Sequence, residues 1–125
     1  MLSGHETILF ADDEETLRNL GRMFLERLGY KVILAEDGSQ AVELYQSRHE
    51  EIAAVVLDMT MPKLTGRQAL KRILEIDSKA KVLLVSGFTA EGTAKELIAE
   101  GAVDFLPKPY TLFPLSQILR KVIEK

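Results

Sequence analysis

The sequence contains no cysteine, which excludes disulfide frameworks, thiolate nucleophiles and sulfur-ligated zinc and suits a reducing compartment such as the cytoplasm. It lacks long apolar runs. The longest aliphatic stretch, IAAVVL at 52–57, is far short of the roughly 18 residues that a membrane-spanning helix needs, and the opening MLSGHE does not resemble a signal peptide. Basic residues are in the minority, 16 Lys and Arg against 19 Asp and Glu for a net charge of −3. They are scattered rather than gathered into a stripe, which argues against direct nucleic-acid binding. Neither GxxxxGKS/T nor GxGxxG occurs, so the two usual backbone cradles for nucleotide phosphates are missing.

What is present, over 125 residues, is enough chain for one domain with its own core. Short apolar runs alternate with stretches whose apolar residues recur three and four apart. The runs predict strands at ILFA (8–11), KVILA (31–35), AAVVLD (53–58), KVLLV (81–85) and VDFL (103–106). All but the last are continuously hydrophobic, the mark of a parallel sheet covered on both faces by helices, so the fold class is α/β. Helices are expected over 15–28, 38–48, 66–75 and 91–100, with a fifth at the end of the chain. The first sets Leu17, Leu20, Phe24 and Leu28 at core spacing, with Gly29 where a left-handed cap belongs, and Gly101 closes the fourth. The last carries Leu115, Ile118, Leu119 and Val122 on one face.

In open parallel sheets, ligands bind beyond the carboxyl ends of the strands. There the first strand runs into Asp12 and Asp13, the third ends in Asp58, the fourth leads to Ser86, and Lys108 follows the fifth between two prolines. Two carboxylates about 4 Å apart repel by roughly 1 kcal/mol in water and by more where the dielectric is lower, so three gathered acids need a cation. Their hard oxygens suit Mg²⁺, which is commonly held by one or two carboxylates plus a phosphate. A lysine and a hydroxyl beside them suit phosphoryl oxygens. With no nucleotide cradle encoded, one of the carboxylates can itself be the phosphoryl acceptor.

Each residue alone has an ordinary reading. Asp12 and Asp13 could cap a helix, Asp58 could form a turn before Pro62, Ser86 and Lys108 could be loop residues, and Phe105 could be core. Their coincidence at one sheet edge favours a site. His5 and His49 have no partner at metal-ligand spacing, and Met59 and Met61 read as packing.

The stretches ADDE (11–14), EDG (36–38), LDMTMPKLTG (57–66), VSG (85–87) and GAVDFLPKP (101–109) resemble the receiver domain of two-component response regulators, over essentially the whole chain. The resemblance implies a doubly wound, flavodoxin-like (βα)5 sandwich with sheet order 2-1-3-4-5. It implies that Asp58 accepts a phosphoryl group from a histidine kinase's phosphohistidine, and that Asp13, Asp58 and the Thr60 carbonyl bind Mg²⁺, with Asp12 acting partly through water. Ser86 and Lys108 would contact the phosphoryl oxygens, Phe105 would be the switch aromatic, and the bond before Pro109 would be cis. Thr60 and Phe88 stand where members of the family tune dephosphorylation.

Taken together, these readings describe a single receiver, 1–125, with no output domain. It would be a phosphorylation-dependent cytoplasmic switch rather than an enzyme. Its partners would be a histidine kinase or phosphotransfer protein and a downstream protein bound through helix four, strand five and helix five; self-association through that face stays open. Both a free-standing regulator and a receiver of a hybrid histidine kinase fit. The alternatives are a degenerate receiver that docks partners without phosphate and an aspartate-nucleophile phosphatase. The latter is disfavoured by Thr60, which stands where such enzymes carry a second Asp. A flavodoxin-like mononucleotide binder would need a phosphate loop where this chain has acids.

Overall fold

The computed structural model describes residues 2–87 and 91–125, so Phe88 lies outside the described residues. Among the described residues, five strands and five helices alternate: β1 (Thr7–Ala11), α1 (Glu15–Arg27), β2 (Lys31–Ala35), α2 (Gly38–Arg48), β3 (Ile52–Asp58), α3 (Gly66–Ile76), β4 (Val82–Ser86), α4 (Glu91–Ala99), β5 (Asp104–Pro107) and α5 (Leu112–Glu124). The strands form one parallel sheet in the order β2-β1-β3-β4-β5.

The apolar runs divide by strand alternation into two cores, as side chains of period two must. Leu9, Val55, Leu57 and Leu84 pack with Tyr45 of α2, Leu70 and Ile73 of α3 and Leu97 of α4. On the opposite face Ile8, Phe10, Val56 and Leu83 pack with Leu25 of α1 and with Leu115, Leu119 and Val122 of α5. Met61 is buried in the first core and Met59 packs against it. Truncating a fully buried leucine such as Leu97 would cost about 2–5 kcal/mol.

Helix ends follow local chemistry. Asp37 caps α2 by accepting from the Gln40 amide, and Thr65 and Gln68 form a reciprocal capping box at the start of α3. Gly29 and Gly101 adopt φ of +101° and +115° where α1 and α4 stop, the left-handed conformation that favours glycine there.

Two expectations need correction. Strand β4 runs over 82–86 rather than 81–85 and β5 over 104–107 rather than 103–106, because the ladder pairs Leu83 with Asp104 and Ser86 with Pro107. On α1, the buried residues are Gly21 and Leu25, whereas Leu20 is 40% exposed and Leu17 and Phe24 are half-buried. The cause is Gly21, which lies on the Phe10 ring so closely that a Cβ would overlap it. The helix approaches the sheet along that glycine and turns Leu20 outward.

Candidate functional site

The strand order sets β1 beside β3, with Ala11 in register with Leu57, so Asp12 and Asp58 emerge side by side at the carboxyl edge of the sheet. Asp12, Asp13 and Asp58 each offer a carboxylate oxygen, all within 4.8 Å of one another. Asp12 and Asp58 are buried, and Asp13 is exposed. Lys108 closes the cluster from the far side of β4: its Nζ lies 3.0 Å from Asp58 Oδ1 and 3.3 Å from Asp12 Oδ2. The Lys108 backbone N–H donates to the Ser86 carbonyl at 2.8 Å, which fixes the lysine against the end of β4. The Lys108–Pro109 peptide bond is cis.

Electrostatics set the two charge types apart. Burial pushes the Asp58 carboxyl above its ordinary range, with Asp12's charge adding to the rise, while Lys108 and the Thr60 backbone N–H, which donates to the Asp58 carboxylate, oppose it. Burial pulls the Lys108 ammonium down, but its bond to Asp58 and the charges of Asp12 and Asp58 more than offset this and hold it above its usual value. Lys108 is therefore a fixed cation, and three carboxylates facing it leave an excess of negative charge.

A hard divalent cation fits that excess: the donors are all oxygen, two carboxylates sit on rigid strand ends, and one side of the cluster stays open at Asp13 and Thr60. Ser86 is buried at the end of β4, two residues along the ladder from the Leu84–Phe105 pair. Phe105 is half-buried and packs against the α2–α4 core. Asp12, Asp13, Asp58, Lys108 and Ser86 thus share one sheet edge, and Thr60 touches Asp58 through its backbone, whereas Phe105 stands further down β5.

Three features of the site escaped sequence reasoning. Arg18 donates to the Asp12 carbonyl at 2.9 Å, and the Glu14 N–H donates to Asp12 Oδ1 at 2.9 Å; together they fix the turn that carries the acids. An arginine six residues after a strand-end acid was the available signal. Tyr110 walls a cavity of about 400 Å³ floored by Asp12 and Lys108, and its hydroxyl pKa is pushed up to about 12 by burial and by the Asp12 and Asp58 charges. Gly66 backs the acceptor: a Cβ there would lie 2.5 Å from the Asp58 carbonyl oxygen.

Comparison with known proteins places this geometry among relatives. The response regulator receiver domain family matches residues 8–120. The sensor kinase CckA of Brucella abortus (strain 2308) is 33% identical over 99% of this chain, which spans only 13% of that protein. The chemotaxis protein CheY of Bacillus subtilis (strain 168) is 32% identical, with 93% of this chain and 96% of the relative aligned. A chain of the Borrelia burgdorferi CheX–CheY–BeF₃–Mg²⁺ complex superposes with a TM-score of 0.89 at 32% identity, over 96% of this chain and 90% of the other.

Proposed function

This chain belongs to the response regulator receiver domain family, and from that premise we propose that Asp58 accepts a phosphoryl group from a phosphohistidine on a histidine kinase or phosphotransfer protein. The presence of Mg²⁺ and BeF₃ in the Borrelia burgdorferi complex supports metal-assisted phosphoryl chemistry here. The observation that carries the reading is the convergence of three carboxylates within 4.8 Å under one lysine. Structural acids have no reason to adopt that arrangement at a sheet edge.

In the transfer, an Asp58 oxygen forms the new O–P bond as the donor's N–P bond breaks, and the electron pair of the broken bond returns to the imidazole nitrogen. Asp58 is rigid at the end of β3 and already stripped of most of its water, so little reorganisation precedes attack. Lys108 holds the acceptor and exchanges its contact with Asp58 for one with a phosphoryl oxygen. The Ser86 hydroxyl donates to another oxygen. Asp12, Asp13, Asp58 and the Thr60 carbonyl would hold Mg²⁺, Asp12 partly through water, and the ion supplies neutralisation of the carboxylate repulsion and of the phosphoryl charge.

Phosphorylation adds about −1.5 to −2 of charge and three acceptor oxygens. That draws Ser86 toward the phosphoryl group, lets Phe105 turn inward and shifts the population of the face made by α4, β5 and α5, where a downstream protein binds. The chain acts as a signalling domain in the cytoplasm, and its own chemistry is limited to phosphoryl uptake and hydrolysis. Among the described residues no helix is long and apolar enough to cross a membrane.

The test is intact-mass spectrometry after incubation with Mg²⁺ and a small acyl phosphate, with early time points to catch a short-lived adduct. One added phosphoryl group, absent in Asp58→Asn and absent with chelator, is the expected result. No adduct at any time, with beryllofluoride also failing to bind, would instead assign the chain to the docking modules that work without phosphate.

A further inference from the structure

The loop of residues 59–65 carries Thr60 from the end of β3 to the start of α3, and its position decides where the Thr60 backbone meets the Asp58 carboxylate. Both ends are fixed. The Met59 N–H donates to the Val85 carbonyl at 2.9 Å, and the Gly66 N–H donates to the Met59 carbonyl at 3.1 Å. The middle rests on a different element, the N-terminus of α2. Gly38 is buried there, and a Cβ on it would overlap the Leu64 carbonyl oxygen. Beside this contact the Lys63 ammonium lies 3.6 Å from Asp37 Oδ2. Lys63 itself adopts φ +66°, a left-handed conformation that a non-glycine residue keeps only when its surroundings impose it.

From these contacts we infer that the start of α2, through Gly38 and the Asp37–Lys63 pair, is the abutment that holds the Thr60 backbone against Asp58, making Gly38 a positioning residue for metal uptake and phosphoryl acceptance. The inference rests on the reading of Asp58 as acceptor, and it gives α2, which contributes no side chain to the acidic cluster, a direct mechanical stake in the site. The Leu64 carbonyl cannot yield independently. Its residue's N–H is bonded to Pro62 O at 2.7 Å, and the loop is pinned below by Met61, which is 6% exposed. Displacement at Leu64 is therefore passed back along a short, tethered segment to Thr60.

Gly38→Ala is the discriminating variant. Gly38 is not in the left-handed region, and alanine is the better helix former, so α2 itself does not suffer and the added methyl acts on the loop alone. Two readouts are taken: the Thr60 amide by ¹H–¹⁵N NMR in metal-free protein, and Mg²⁺ affinity by calorimetric titration. The expected result is a displaced, faster-exchanging Thr60 amide and Mg²⁺ binding weakened about tenfold, the scale on which partners behind metal ligands act. A folded Gly38→Ala protein whose Thr60 amide and Mg²⁺ affinity match the wild type would overturn the inference. If that variant does not fold, Asp37→Asn combined with Lys63→Gln decides, because asparagine keeps the helix cap while the loop's charge tether is cut. A shifted Thr60 amide with about twofold weaker Mg²⁺ binding supports the abutment, and no change in either refutes it. Should the wild type itself take up no Mg²⁺, the reading of the site fails, while the Thr60 amide still tests the role of Gly38.

Discussion

The two ends of the sheet each carry a cluster of charge, and they are built to opposite purposes. At the amino end, Glu6 precedes β1 and receives both Arg120 Nη1 at 3.0 Å and Nη2 at 2.9 Å, while Arg120 also reaches Glu124 at 2.8 Å and the Tyr30 hydroxyl at 3.4 Å. Planar guanidinium meets carboxylate with both prongs, and Glu6 is held down to about 2, chiefly by that hydrogen bonding. At the carboxyl end, Lys108 is a point charge shared between Asp12 and Asp58, and the Asp58 carboxyl is raised rather than lowered. One end is a finished clamp that ties β1 to α5. The other is left short of positive charge, which is the condition a cation or phosphoryl group can relieve.

The largest effect should come from deepening that shortage. Lys108→Met leaves Asp12 and Asp58 facing each other without their counter-charge, and denaturant unfolding of metal-free protein should show a loss of about 2 kcal/mol. Added Mg²⁺ should restore most of it, since a ligand that binds only the folded state stabilises it. A loss that Mg²⁺ does not touch would mean that the acids are not a cation site.

Asp58→Asn should move stability the other way. A carboxyl whose folded pKa is raised contributes stability that is present below its unfolded pKa and is lost as pH rises through the folded value. At neutral pH the charged form therefore opposes folding. The neutral amide should gain about 1 kcal/mol in metal-free protein at pH 7 while abolishing phosphoryl uptake, the trade expected where strain serves function. Equal stability across pH 4–8 for the two proteins would show that Asp58 is not destabilised in the folded state.

How much of this was legible beforehand depended on the range of the interaction. Continuous runs such as AAVVLD displayed the buried parallel strands, because burial on both faces acts residue by residue, and Gly29 and Gly101 marked helix ends through their own φ. The acids, Ser86 and Lys108 could be placed at strand ends for the same reason. Their meeting could not, since it depends on β1 lying between β2 and β3, a matter of chain-distant pairing that came only from family resemblance. The turn of α1 about Gly21 and the seat of Leu64 on Gly38 are contacts between backbone and neighbour. No periodicity encodes them.

At the finished end, breaking the clamp should cost stability without touching phosphoryl chemistry. Glu6 has a folded pKa of about 2 against 4.5 unfolded, so its contribution is fully present above pH 4.5 and is lost as pH falls toward 2. Glu6→Gln should lower stability at pH 7 by about 1 kcal/mol, the upper range for a pair that is not deeply buried, and should flatten the acid limb between pH 4.5 and 2. Mg²⁺ affinity should be unchanged. Altered Mg²⁺ binding in this variant would show that the two ends of the sheet are coupled rather than independent.

The smallest effect belongs to Glu124, the outer partner of the same arginine. Its side chain is 65% exposed, so water screens the pair. Arginine also precedes the acid by four residues, the weaker of the two orientations on a helix. Glu124 further ends α5, where the negative pole of the helix disfavours an acid by a few tenths of a kcal/mol. The gain from Arg120 and the penalty from the helix end nearly cancel, so Glu124→Gln should shift unfolding by less than about 0.3 kcal/mol at either low or high salt. A loss as large as that of Glu6→Gln would mean that Arg120 needs both carboxylates to hold its place, and that the clamp is a cooperative network rather than one strong pair with a bystander.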